Sequence, residues 1–186
     1  ERLLKIYKTK EYLTRQALEA EYAKFDAATD FNGFTLLNID KTEAMISYIA
    51  ESVSNLFKVK LMKMLWYGDA LSFKRRGIAM TGMVYRHEPM GALPVGHYSL
   101  MNLENLNIRE EESNNYDLML HIYPSKGMDY DVLTDEERRI LDDVIKKFKD
   151  YKAKDIIEYM HGETAYTKTK AGEMIPFSLA KDIREF

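Results

Sequence analysis

Residues Leu56 to Tyr98 read LFKVKLMKMLWYGDALSFKRRGIAMTGMVYRHEPMGALPVGHY, and the rest of the chain is organised around their first half. Leu56, Phe57, Val59, Leu61, Met62, Met64, Leu65, Trp66, Tyr67, Ala70, Leu71 and Phe73 leave little room for a solvent face. A helix that is apolar nearly all round belongs at the centre of a domain with other elements packed on it. Its charges are ordered. Lys58, Lys60 and Lys63 lie along the first two turns, where a solvated helix start accounts for them. Lys74-Arg75-Arg76 close the end, matching the negative pole of the helix dipole, and Gly77 suits a left-handed stop. Asp69 is the exception, a lone carboxylate among apolar neighbours that needs hydrogen-bond donors or a counter-charge.

Beyond Gly77 the texture changes. Ile78 to Tyr85 is short, partly β-branched and broken by Gly82, which predicts a strand. His87-Glu88-Pro89-Met90-Gly91-Ala92-Leu93-Pro94 holds two of the four prolines and predicts a rigid turn. Pro94 is expected to open a further helix running to about Leu106. Tyr116 to Tyr123 alternates as a half-buried strand should. It forms a hairpin with Asn107-Ile108-Arg109 across a polar Glu110–Asn115 turn, and it is expected to join Ile78–Tyr85 in a small antiparallel sheet.

Outward from this centre, residues 1–25 are rich in helix formers, with Leu3, Ile6, Leu13, Ala17 and Ala20 at helical spacing. Residues 1–30 therefore predict a helical extension and linker that packs only partly on the rest. Its exposed stripe invites a homo-oligomer. Asn32-Gly33 marks a turn. Asp40 stands three residues before Glu43, the spacing of a capping box, ahead of a helix to about Ser54. Thr134-Asp135-Glu136-Glu137 starts another, with Ile140, Leu141, Val144, Ile145 and Phe148 as its inner stripe. Residues 154–166 predict one more helix, and after the breaks at Gly172 and Pro176 a last short one is expected near Leu179 to Phe186. The order of elements gives an α+β fold class: a mainly helical single domain around a buried central helix, with a small antiparallel sheet and an N-terminal helical extension.

Composition bounds function. The 186 residues carry a net charge of −3, which demands neither nucleic acid nor an anionic membrane. The basic residues of the central helix come from its two ends and lack the interleaved aromatic platform of a nucleic-acid site. With no cysteine, disulfides, thiol nucleophiles and thiolate metal sites are excluded, and a cytoplasmic location fits. No apolar run reaches the roughly 18–20 residues of a membrane span. His87, His97, His121 and His161 share no metal-ligand spacing, Pro89 breaks His87-Glu88 as a helical zinc motif, and no phosphate loop or nucleophile elbow occurs. No cofactor is implied. The remaining polar candidates are Asp69 and His161, expected to form a buried structural pair. An acid–base dyad would look the same in sequence.

The order of motifs resembles a known family. Lys60-Leu61, Lys63, Leu65, Tyr67, Asp69 and Leu71, then Thr81-Gly82 and Tyr85, then a Gly-Pro turn, then His161-Gly162-Glu163-Thr164-Ala165-Tyr166, are similar to the Panacea domain of SocA-like antitoxins. These belong to bacterial and phage toxin–antitoxin systems, phage-associated GepA-like proteins among them. Met90-Gly91-Ala92-Leu93-Pro94 stands where many members carry a compact Gly-Pro-Val-Pro. The resemblance spans residues 39–186, taken as the domain, and implies an antitoxin that binds a cognate toxin. It also implies an upstream helix-turn-helix domain as the only contact with operator DNA. Some members deliver their toxin to a ClpXP-type protease, so a proteolytic adaptor stays open, as does a hydrolase using Asp69 and His161. The expected contact surface is Thr81, Gly82, Met83, Tyr85, His87, Met90, Gly91, Pro94, His97 and Tyr98. There glycine and proline fix the backbone beforehand, and Tyr85, Met90 and Tyr98 serve as anchors.

Overall fold

Fourteen consecutive buried positions, from Lys60 to Phe73, put the central helix at the middle of the molecule, as its all-round apolarity requires. This is helix α3, Lys58–Arg76, in a computed structural model that describes residues 13–184 and 186. The chain enters through helical residues 13–22 (α1) and a 3-10 turn at Asp30–Asn32, then α2 (Ile39–Ser52) and α3. A hairpin follows, β1 (Tyr85–Glu88) with β2 (Gly91–Pro94), then the short α4 (His97–Leu100). A second hairpin pairs β3 (Asn107–Glu112) with β4 (Leu118–Tyr123). The chain ends through α5 (Asp135–Phe148), α6 (Ala153–His161), α7 (Thr164–Thr167) and a 3-10 turn at Phe177–Asp182. Helices α5 and α6, strand β2 and the last 3-10 turn pack round α3. The fold is α+β and mainly helical.

Local signals explain most boundaries. Gly77 closes α3 at φ 78° and its N–H bonds Phe73 O at 2.8 Å. Thr134 caps α5 in a full capping box with Glu137. The cap of α2 differs from expectation. Asn38 Oδ1 accepts from Lys41 N at 2.9 Å, which frees Asp40 and Glu43 to accept from Arg15 of α1, each at 3.1 Å.

The lysines at the start of α3 also correct the sequence reading, since Lys60 and Lys63 are buried rather than solvated. Lys60 Nζ donates to Lys149 O and Tyr151 O at 2.7 and 2.6 Å, so a cation satisfies carbonyls left over at the C-terminal end of α5. Lys63 Nζ donates to Ala92 O at 3.1 Å beneath the first hairpin. Burial pushes its pKa down to about 8, against the opposing pull of Glu88.

The sheets differ from expectation as well. Residues 78–84 form no strand, because their backbone groups are taken by other partners. Met80 N and Thr81 N go to Asp69, Thr81 O to Asn38 N, and Val84 N to the Tyr22 hydroxyl. Pro94 ends β2 opposite Tyr85 instead of opening a helix, and Gly96 at φ 75° delays the helix start to His97. The second hairpin forms as expected, with β3 running on through Glu112. The helix expected over 154–166 breaks at Gly162-Glu163. There Glu163 turns inward to accept from Tyr67 Oη at 3.0 Å and Arg184 Nε at 3.2 Å.

Helix α1 lays one side against the body. Leu18 and Tyr22 are its buried residues, whereas Leu13, Ala17 and Ala20 face outward. Leu3 and Ile6 lie outside the described residues.

Candidate functional site

Two of the expected contact residues, Thr81 and Tyr85, fold directly onto Asp69. Its Oδ1 accepts from Met80 N and Thr81 N, both at 2.9 Å. Its Oδ2 accepts from Thr81 Oγ1 at 2.6 Å and Tyr85 Oη at 2.8 Å. Burial pushes the carboxyl's pKa up, and these four donors oppose the rise. Thr81 Oγ1 in turn accepts from Met83 N at 3.1 Å. From the other side Tyr22 Oη accepts from Val84 N at 3.2 Å and donates to Val95 O at 2.8 Å. Gly82 has φ 77°, and a Cβ there would lie 2.3 Å from the Leu36 carbonyl carbon, so no side chain fits.

The hairpin above this knot is braced on every side. Residues 172–175 run along the free edge of β1, with His87 N bonded to Glu173 O and Ile175 N to Tyr85 O, both at 2.8 Å. Tyr166 Oη donates to Glu88 O at 2.8 Å, and its ring stacks between His87 and His161, centroids 3.8 and 4.5 Å away. His87 Nδ1 is 2.8 Å from Thr169 Oγ1. His161 Nε2 meets Pro89 O at 3.1 Å. The expected hydrogen bond between Asp69 and His161 is therefore not made. The carboxylate spends itself on the 80–85 loop, and the imidazole holds the hairpin turn. Under the turn a Cβ at Gly91 would come within 2.7 Å of Met160 Sδ and 3.0 Å of Lys63 Cε.

Burial divides the ten expected contact residues. Thr81, Gly82, Met83, Tyr85, His87, Gly91 and Pro94 are buried, so in this conformation they shape a surface without forming it. Tyr85, named as an anchor, is fully enclosed. Met90 at the hairpin tip is 52% exposed and Tyr98 on α4 is 73% exposed, with half-buried His97 beside it. Lys58 Nζ lies 4.4 Å from the centroid of the Tyr98 ring. Burial, with the cations Lys58 and Lys63, holds the His97 pKa below its ordinary value.

Sequence reasoning missed Tyr22, Lys63, Glu163 and the 172–175 segment. Lys63 and Glu163 carried a signal, their places in the central-helix and closing motifs. The other partnerships join residues far apart in the chain. Among the described residues no group of three or more histidine, aspartate or glutamate side chains is placed to hold a metal, and no helix is long and apolar enough to cross a membrane. A polar cleft of about 780 Å³, walled by Asp40, Glu104, Arg109, Ser125 and Asp129 among others, lies apart from Asp69 and His161 and contains neither.

No curated protein and no solved structure matches the chain significantly. Residues 61–166 match the family model described as "Antitoxin SocA-like, Panacea domain". That span covers more than half of the chain and contains Lys63, Asp69, the Thr81–Tyr85 loop, the braced hairpin and the His161–Tyr166 clasp. The chain belongs to the SocA-like antitoxin family of Panacea domains.

Proposed function

We propose that this domain neutralises a toxin protein by binding it directly, with the hairpin tip and α4 as part of the contact. The observation that carries this reading is the contrast between Met90 and Tyr98, apolar and exposed, and the backbone beneath them, which is clamped from inside by Asp69, Tyr22 and Tyr166. A surface held in shape before binding loses little conformational entropy on docking. Aromatic residues and methionine are the types enriched at the centres of interfaces. The hydrolase alternative depended on an Asp69–His161 dyad, and each of those residues is engaged elsewhere.

The test co-expresses the toxin of the neighbouring gene with wild type, Tyr98→Ala and Met90→Ser. Rescue of growth by wild type and loss of rescue by folded Tyr98→Ala supports the reading. Full rescue by both variants removes this face from the interface. Toxin that disappears only in the presence of a protease of the ClpXP type assigns the adaptor role instead.

A further inference from the structure

The second hairpin places apolar groups in water where the fold has no use for them. The register puts Ile108, Glu110 and Glu112 of β3 on one face with Ile122, Leu120 and Leu118 of β4. Ile122 is in the core, Leu120 is half-buried and Leu118 is 73% exposed, so one apolar row runs from the interior out past the body. The four residue-to-residue steps from Ile122 to Leu118 span about 13 Å. Across from that row stand Glu110 and Glu112, both exposed.

At the tip, Ser113 builds the turn. Its hydroxyl accepts from Asn115 N and Asp117 N at 3.3 and 3.2 Å, and its N–H donates to Asp117 O at 2.9 Å. This turn holds Tyr116 at φ 62° with 84% of its surface exposed. Glycine or asparagine would adopt that conformation at lower cost. An aromatic residue in a left-handed position, packed on nothing, contributes nothing evident to folding.

We propose that this face of the ribbon is a docking surface for a positively charged segment of the toxin, whose apolar side chains cover Leu118 and Leu120 while lysine or arginine meets Glu110 and Glu112. The proposal rests on the antitoxin reading and adds the chemistry of the partner. Charge selects the occupant: the face pairs an apolar row with a carboxylate row, so a neutral or acidic segment would leave the carboxylates unmatched.

The test titrates the purified toxin of the neighbouring gene into wild type, Leu118→Ser, the double variant Glu110→Lys/Glu112→Lys, and Met119→Ser from the opposite face of the ribbon. Leu118→Ser and the charge reversal are expected to weaken binding at least tenfold at an unchanged melting temperature. Met119→Ser should stay within about twofold of wild type, and added salt should weaken the wild-type complex. Affinities within twofold for every variant overturn the ribbon proposal and leave the antitoxin reading standing. Failure of wild type to bind the toxin overturns both. Loss of self-association in Leu118→Ser with toxin affinity intact assigns the face to a second copy of the chain, and the proposal is then wrong.

Discussion

The knot around Asp69 and the β3–β4 ribbon invert the usual placement of residues. In the knot a carboxylate is fully enclosed, and two lysines of the same helix are buried nearby; in the ribbon a tyrosine and a leucine stand in water. The buried charges are accounted for by their partners. Asp69 accepts four hydrogen bonds, Lys60 donates two and Lys63 donates one. The exposed apolar groups have no such account within the fold. Polarity inside, when satisfied, is structure; apolarity outside, when unsatisfied, points to a partner.

The comparison breaks if the knot turns out to be expendable. Asp69→Ala leaves two buried N–H groups and two hydroxyls facing a void, and is expected to cost about 3–5 kcal/mol in denaturant unfolding. Asp69→Asn keeps an acceptor for Met80 N and Thr81 N and should cost about 2 kcal/mol. Wild-type stability in either variant, with toxin affinity lost, would move Asp69 from the scaffold to the interface.

Lys63 sharpens the same side through pH. Its folded pKa of about 8 lies below the ordinary lysine value of 10.5, so between these values the unfolded chain binds more protons than the folded one. Stability from this group therefore rises with pH through that window. From pH 8 to 9.5 wild type should gain about 1.5 kcal/mol relative to Lys63→Met, followed by urea unfolding at each pH. Parallel curves for the two proteins would show that the ammonium is not desolvated. A comparable effect is expected of Tyr22→Phe, about 1–2 kcal/mol, since Val84 N and Val95 O each lose a partner. On the ribbon side, Tyr116→Asn removes an L-residue of poor left-handed propensity and should raise stability slightly, by about 0.5 kcal/mol. Measurable destabilisation there would mean that the tyrosine supports the fold after all.

The centre was legible because α3 is apolar all round, a pattern with only one home in a globular domain. The need of Asp69 for donors was also legible, but not which donors would answer. The spacing 69–81–85 looks no more suggestive than 69–161, and the choice was made by a loop whose backbone had no sheet partner. Lys60 and Lys63 were misplaced for a related reason. A lysine beside a helix start looks solvated until carbonyls 29 to 91 residues further on come to meet it. The first hairpin hid behind its prolines, since Pro89 falls in the turn and Pro94 at a strand end, the two places where a missing N–H does no harm. The ribbon's overhang depends on where the body stops, which no local pattern encodes.

Neutralisation by binding, without chemistry, is tested most directly by purifying the domain together with its toxin and weighing both chains intact. The account predicts one stable complex of fixed stoichiometry in which each chain keeps its unmodified mass and toxin freed by denaturation and refolding is toxic again. A toxin that leaves the encounter free in solution, altered in mass and permanently inactive would contradict it.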